Sequence, residues 1–188
     1  PFVIQDQGRY LMFYGGWSSI GLATSNDGKT FARQLNKIGQ SALFSNASDA
    51  LLRDPTVVHW GEKFYLYYTH VENGQGVICA RCSADLSEWS DASVVSKGGS
   101  AGSGPADAEC AFLFPLEDSL LLFRWDSRGT TTIYRSSNPL DFGVDNDRYK
   151  VGELPYEVVR ILREDDDFYL TSLHEDYSGI RLARMHWQ

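Results

Sequence analysis

Residues Pro55–Tyr68 read PTVVHWGEKFYLYY. An apolar run leads into a polar turn containing Gly61, and an aromatic run follows. This is the pattern of a β-hairpin. The same pattern occurs three more times. Pro1–Tyr14, PFVIQDQGRYLMFY, aligns with it without a gap, as does Cys110–Phe123, CAFLFPLEDSLLLF. Val158–Thr171, VVRILREDDDFYLT, aligns with a turn one residue longer.

Working outward, each hairpin is followed by a third and a fourth strand. Ile20–Phe31, IGLATSNDGKTF, matches Ile78–Trp89, ICARCSADLSEW, with Ser25/Ser83, Asp27/Asp85 and Phe31/Trp89 in register. Ile133–Phe142 is a looser copy and Gly179–Trp187 a truncated one. The Ser-x-Asp and Ser-x-Asn steps supply turn chemistry before the outer strand. No segment carries a helical period. The sharpest repeat interval is 55 residues, from Asp54 to Glu109. A four-stranded sheet recurring at that period is a propeller blade. A sandwich rarely repeats its hairpin sequence so closely, and a solenoid has shorter coils. The sequence therefore predicts an all-β propeller in one domain, with blades at approximately 1–48, 49–97, 105–150 and 155–188. Lys97–Pro105, KGGSAGSGP, reads as a flexible loop inside that domain.

Composition agrees with a folded β-protein. Of 188 residues, 43% are hydrophobic and 13% aromatic, which excludes a disordered chain. The formal net charge is −8, and no Lys/Arg cluster is present, so nucleic acid is not an expected partner. No apolar run reaches the roughly 20 residues of a membrane span. The three cysteines are Cys79, Cys82 and Cys110. Cys79 and Cys82 lie in a strand-like stretch, where i and i+3 point to opposite faces and cannot share an ion. Neither a metal nor a cofactor is expected, and an odd cysteine count argues against a disulfide framework.

An acid precedes the apolar run in three copies: Asp54, Glu109 and, close to the equivalent point, Glu157. The first strand of every propeller blade lines the central axis, so repetition brings these carboxylates toward one pocket. One carboxyl kept protonated and one kept ionised make an acid/base device, as glycoside hydrolysis requires. The plainer reading is that such acids cap strand ends. Trp17 and Trp125 follow inner hairpins, where an aromatic face serves equally as a sugar platform or as packing between blades. Arg124 and His70 hold similar places and are candidate donors to sugar hydroxyls. His174 falls at the same rim. Trp60 is expected in a hairpin turn, and Trp89 and Trp187 in the core. Glu164–Asp167 is read as a solvated turn, since it lacks the spacing of a calcium loop.

Arg53-Asp54-Pro55, followed one blade later by Glu109-Cys110, resembles the signature of glycoside hydrolase family 32, the invertases, levanases and inulinases. Family 43, of arabinanases and xylosidases, shares the five-bladed propeller and a similar trio of acids. The resemblance implies that Glu109 is the general acid/base and that Asp54 stabilises an oxocarbenium-like transition state. It implies that Arg53 binds sugar hydroxyls and that Cys110 is a packing neighbour. It points to a carbohydrate partner, a fructose-containing furanoside, with arabinosides or xylosides next and a noncatalytic carbohydrate-binding propeller as the alternative class. The family's nucleophile lies in an Asn-Asp-Pro-Asn-Gly motif on its first blade, and that motif does not occur here. The expectation is therefore a five-bladed type with four blades present and the first lying upstream of Pro1. Two other readings are an acid just before Pro1 and a complete propeller that has lost the nucleophile. Asp6, in a hairpin turn, is a poor substitute. An open ring would expose sheet edges and favour self-association.

Overall fold

A computed structural model describes residues 1–45 and 51–186. The expected core position of Trp187 lies outside the described residues. Four antiparallel sheets follow one another along the chain. The first contains β1 (Phe2–Asp6), β2 (Arg9–Gly15), β3 (Ser19–Ser25) and β4 (Ala32–Arg33), with β5 (Phe44–Ser45) also pairing with β3. The second runs through β6 (Leu52–Trp60), β7 (Lys63–Glu72), β8 (Gln75–Ser83) and β9 (Ser93–Ser96). The third contains β10 (Glu109–Leu116), β11 (Ser119–Trp125), β12 (Thr131–Ser136) and β13 (Lys150–Leu154). The fourth has three described strands, β14 (Glu157–Glu164), β15 (Asp167–Leu173) and β16 (Ile180–Met185). The arrangement is that of four propeller blades, and no α-helix occurs among the described residues.

The core lies between the sheets. Leu66 and Tyr67 are neighbours on β7 and have no exposed surface. Alternation sends them to opposite faces. Leu66 packs with Phe13, Ile20 and Val77 toward the first sheet. Tyr67 packs with Leu113, Leu122 and Tyr134 toward the third. A further cluster of Phe112, Phe123, Val159 and Leu170 joins the third sheet to the fourth. Strands buried on both faces explain why the inner hairpins read as near-continuous apolar runs.

The pairing corrects the alignment of the repeats by one residue. Arg53 pairs with Thr69, Glu109 with Trp125 and Glu157 with Leu173, and a β-bulge follows each. Arg53, Glu109 and Glu157 are thus equivalent, and Asp54 corresponds to Cys110 and Val158. All three of these hairpins turn through two residues, so the fourth turn is not longer than the others. Apolar runs buried on both faces tolerate a slip of one residue when matched by hydropathy alone. The backbone pairing does not.

The glycine-rich stretch after Lys97 is also not a loose loop. It carries a short 3-10 turn, Gly99–Ala101. The Lys97 and Ser100 amides donate to Gly143 O and the Asp147 carboxylate. Gly98 and Gly99 have positive φ, and a Cβ on either would stand 2.5 Å from a carboxylate oxygen of Asp145 or Asp147. Glycine serves close approach here.

Candidate active site

The site is built by the bulges. Asp54, Cys110 and Val158 adopt φ of 54°, 52° and 51°. A non-glycine residue in the left-handed region is uncommon, and a β-branched valine there is an outlier. A bulge re-aims the side chains around it. Here it lets residues one register apart face the same space. Carboxylate oxygens of Asp54 and Glu109 and the Cys110 Sγ all lie within 4.8 Å of one another.

Arg53 ties the two sheets together. Its Nη2 donates to Glu109 Oε1, and its Nε lies 3.8 Å from Asp54 Oδ2. Asp54 Oδ2 also accepts from Thr69 Oγ1 at 3.1 Å and from the Cys110 amide at 3.3 Å. Arg160, from the fourth sheet, donates through Nη1 to Cys110 O at 3.1 Å and to Val159 O at 2.9 Å. It therefore braces the bulges of two adjacent sheets. Burial raises the pKa of Glu109 above the usual glutamate value; the Arg53 cation pulls it back and the Asp54 charge pushes it up. Burial and the Asp54 charge push the Cys110 thiol up to about 12. A neutral thiol is a packing group, not a nucleophile. Asp54, Glu109 and Cys110 are the donor atoms a cation would use. The Arg53 guanidinium bonds Glu109 and lies 3.8 Å from Asp54, so both carboxylates already face a cation.

The other expected residues separate into groups. Trp17 stands 69% exposed at φ 66° and lines a cleft of about 280 Å³ with Pro1, Gly15, Arg53 and Asp54. Trp125, half-buried, is the pairing partner of Glu109. His70 lines a separate cleft with Tyr68, Glu72 and Arg81, and its Nδ1 lies 3.2 Å from Leu51 O. Arg124 has no exposed surface. It donates to Ser96 Oγ at 2.9 Å and Gly98 O at 2.7 Å, and stacks 5.3 Å from the Tyr134 ring centre. A residue so enclosed cannot reach a sugar, which corrects the expectation placed on it. Glu157 lines another cleft with Arg128 and Arg181 and is not in the group formed by Asp54 and Glu109. His174 sits in the β15–β16 turn, with its amide bonded to Gly179 O. Trp60 packs against the core, and Trp89 meets Phe13 edge-to-face at 6.1 Å.

Sequence reading missed Thr69 and Arg160. Arg160 had a signal: a cation interrupting the apolar run VVRIL. Thr69, within a run of β-formers, had none.

The arrangement of propeller blades is shared with solved five-bladed glycosidases. The chain belongs to family 32 of the glycosyl hydrolases: the family's N-terminal domain model matches residues 3–183. The β-fructofuranosidase BmSUC1 of Bombyx mori has a similar fold, with a TM-score of 0.69 at 21% identity, over 90% of this chain and 41% of that one. The GH43 protein BlXynB of Bacillus licheniformis gives 0.70 at 14%, over 98% and 38%. An endo-arabinase of Bacteroides thetaiotaomicron gives 0.70 at 16%, over 99% and 74%. The chain thus spans 41% of the length of the silkworm enzyme. No curated protein matches the sequence significantly.

Proposed function

We propose that this chain forms part of a glycoside hydrolase that cleaves fructofuranosides. Glu109 is the general acid/base. Burial raises its pKa, which favours the protonated form that a leaving oxygen requires. Asp54 stands beside it, where a negative charge would favour developing positive charge on the sugar ring. Arg53 fixes Glu109 and reaches toward sugar hydroxyls, and Trp17 offers an exposed ring face at the mouth of the cleft. The observation that carries this reading is the Asp54–Glu109 approach within 4.8 Å, bridged by Arg53.

Family membership and the fold of the silkworm β-fructofuranosidase support a fructoside. A second reading, an arabinoside or xyloside, rests on the equally good fit to the endo-arabinase. A third reading, a noncatalytic carbohydrate-binding propeller, rests on the site itself. Among the described residues, only two carboxylates belong to the group around Cys110.

Reducing-sugar release from sucrose, inulin and arabinan by the full-length protein tests all three. Release from sucrose or inulin, and its loss by about 10²–10⁴-fold in Glu109→Gln, is expected. Activity that survives the substitution contradicts the assigned acid. Release from arabinan alone favours the second reading, and binding without cleavage favours the third.

A further inference from the structure

The first pair after the bulge joins Thr56 to Tyr67 in the second sheet, Phe112 to Phe123 in the third and Arg160 to Thr171 in the fourth. Thr56, Phe112 and Arg160 are therefore equivalent, and of these three sheets only the fourth places a cation there. Arg160 is half-buried, with its guanidinium carbon 5.3 Å from the Phe112 ring centre. Burial lowers its pKa, while Cys110 and Asp54 oppose that fall. A cation drawn out of water needs hydrogen-bond partners. Those of Arg160 are main-chain oxygens on two sheets, Cys110 O of the third and Val159 O of its own.

Cys110 is thereby held from both sides. Its carbonyl accepts from Arg160 of the fourth sheet at 3.1 Å, and its amide donates to Asp54 Oδ2 of the second at 3.3 Å. Cys110 lies at φ 52°, a conformation that a residue with a Cβ keeps only where its surroundings over-determine it. Removing the Arg160 donor frees the carbonyl end of this bracket. The Cys110 amide is then no longer fixed, and Thr69 Oγ1, at 3.1 Å, is left to hold Asp54 Oδ2. Glu109 directly precedes Cys110 in the chain, so the bracket sits between the two acids.

We propose that Arg160 is a positioning residue: by holding the Cys110 carbonyl from the fourth sheet, it fixes the Cys110 amide that orients the Asp54 carboxylate beside Glu109. Its action passes through Cys110 to Asp54, and it takes no part in the chemical step. The proposal rests on the glycosidase reading above.

Turnover of sucrose, inulin and arabinan by the full-length protein tests it, with Arg160→Met, Arg160→Lys, Asp54→Ala and the combination of Arg160→Met with Asp54→Ala. Arg160→Met is expected to lower kcat by about 10- to 100-fold, with KM within about threefold of the parent. Arg160→Lys keeps the charge and a donor, and is expected to recover part of the loss. In the Asp54→Ala background the Arg160→Met step is expected to cost less than about twofold, because the carboxylate it positions is gone. Unfolding midpoints check that the variants remain folded, and Arg160→Lys carries the comparison if Arg160→Met does not fold. The Cys110 amide resonance, read after selective nitrogen-15 labelling of cysteine, is expected to shift in Arg160→Met and in Asp54→Ala. A full Arg160→Met loss that persists without Asp54, a rise in KM alone, or an unmoved Cys110 resonance overturns the positioning role and leaves the glycosidase reading intact. A parent that cleaves none of these sugars overturns that reading, and the Cys110 resonance then decides whether Arg160 holds the bracket.

Discussion

At the scale of single residues, the site turns on how Glu109 is poised. Burial raises its pKa most, Arg53 opposes that, and Asp54 adds to it. Asp54→Asn removes a neighbouring negative charge, so the Glu109 pKa falls. A general acid must be protonated to act, so the basic limb of kcat/KM is expected to move to lower pH in Asp54→Asn. Arg53→Met removes the opposing cation and is expected to move the same limb to higher pH. Carbon-13 NMR titration of Glu109 in both variants checks the two directions independently of turnover, and shifts of the same sign would contradict the arrangement. The stability effect has its own sign. A carboxyl whose pKa is raised on folding binds its proton more tightly in the folded state. Its contribution is therefore greatest below the ordinary glutamate value and is lost as pH rises through the raised one.

At the scale of elements, the bulge is the repeated device. Asp54, Cys110 and Val158 sit in the left-handed region at equivalent places on β6, β10 and β14. Holding a residue with a Cβ there costs about 1–2 kcal/mol. Val158→Gly removes that cost and some packing, and is expected to change stability by less than about 1 kcal/mol in either direction. Val159, the next residue, is buried in the core. Val159→Gly is expected to cost more than about 2 kcal/mol. Urea unfolding of the two variants makes the comparison; equal losses would mean that the bulge carries no strain. A second repeated element was legible in the sequence. Ser25 and Ser83 each accept from the amides two and three residues on, and Asp27 and Asp85 each accept from two following amides. Those amide bonds lower the pKa of both aspartates. Ser136 and Asn138 repeat part of the motif before the outer strand of the third sheet.

At the scale of the molecule, each described interface is a sheet pressed on a sheet, and among the described residues the fourth sheet leaves one face uncovered. Leu162 on β14 and Ile180 and Leu182 on β16 are exposed there. Leu162 and Leu182 line a shared open hollow with Tyr169. The solved glycosidases of similar fold are five-bladed, so each of their blades has neighbours on both faces. The segment Pro1–Gln188 expressed alone is therefore expected to self-associate through this face or to unfold readily. Sedimentation showing a stable folded monomer would contradict this, and Leu162→Lys with Leu182→Lys is expected to reduce any association.

The sequence by itself determined the β-class, the four hairpins, the Ser-x-Asp turns and the presence of an acid near the start of three inner strands. These are local matters: strand period, turn chemistry and repetition are written in neighbouring residues. The tertiary structure alone decided which residues are equivalent, because runs buried on both faces read almost the same after a slip of one residue. It decided that Arg124 is enclosed and Arg53 bridges the acids, since both facts depend on chain 26 to 56 residues away. It also separated Glu157 from the acidic pair. Repetition along a chain sets which end of a blade a carboxylate occupies, but the packing of adjacent sheets and the bulge between them set which neighbour it meets.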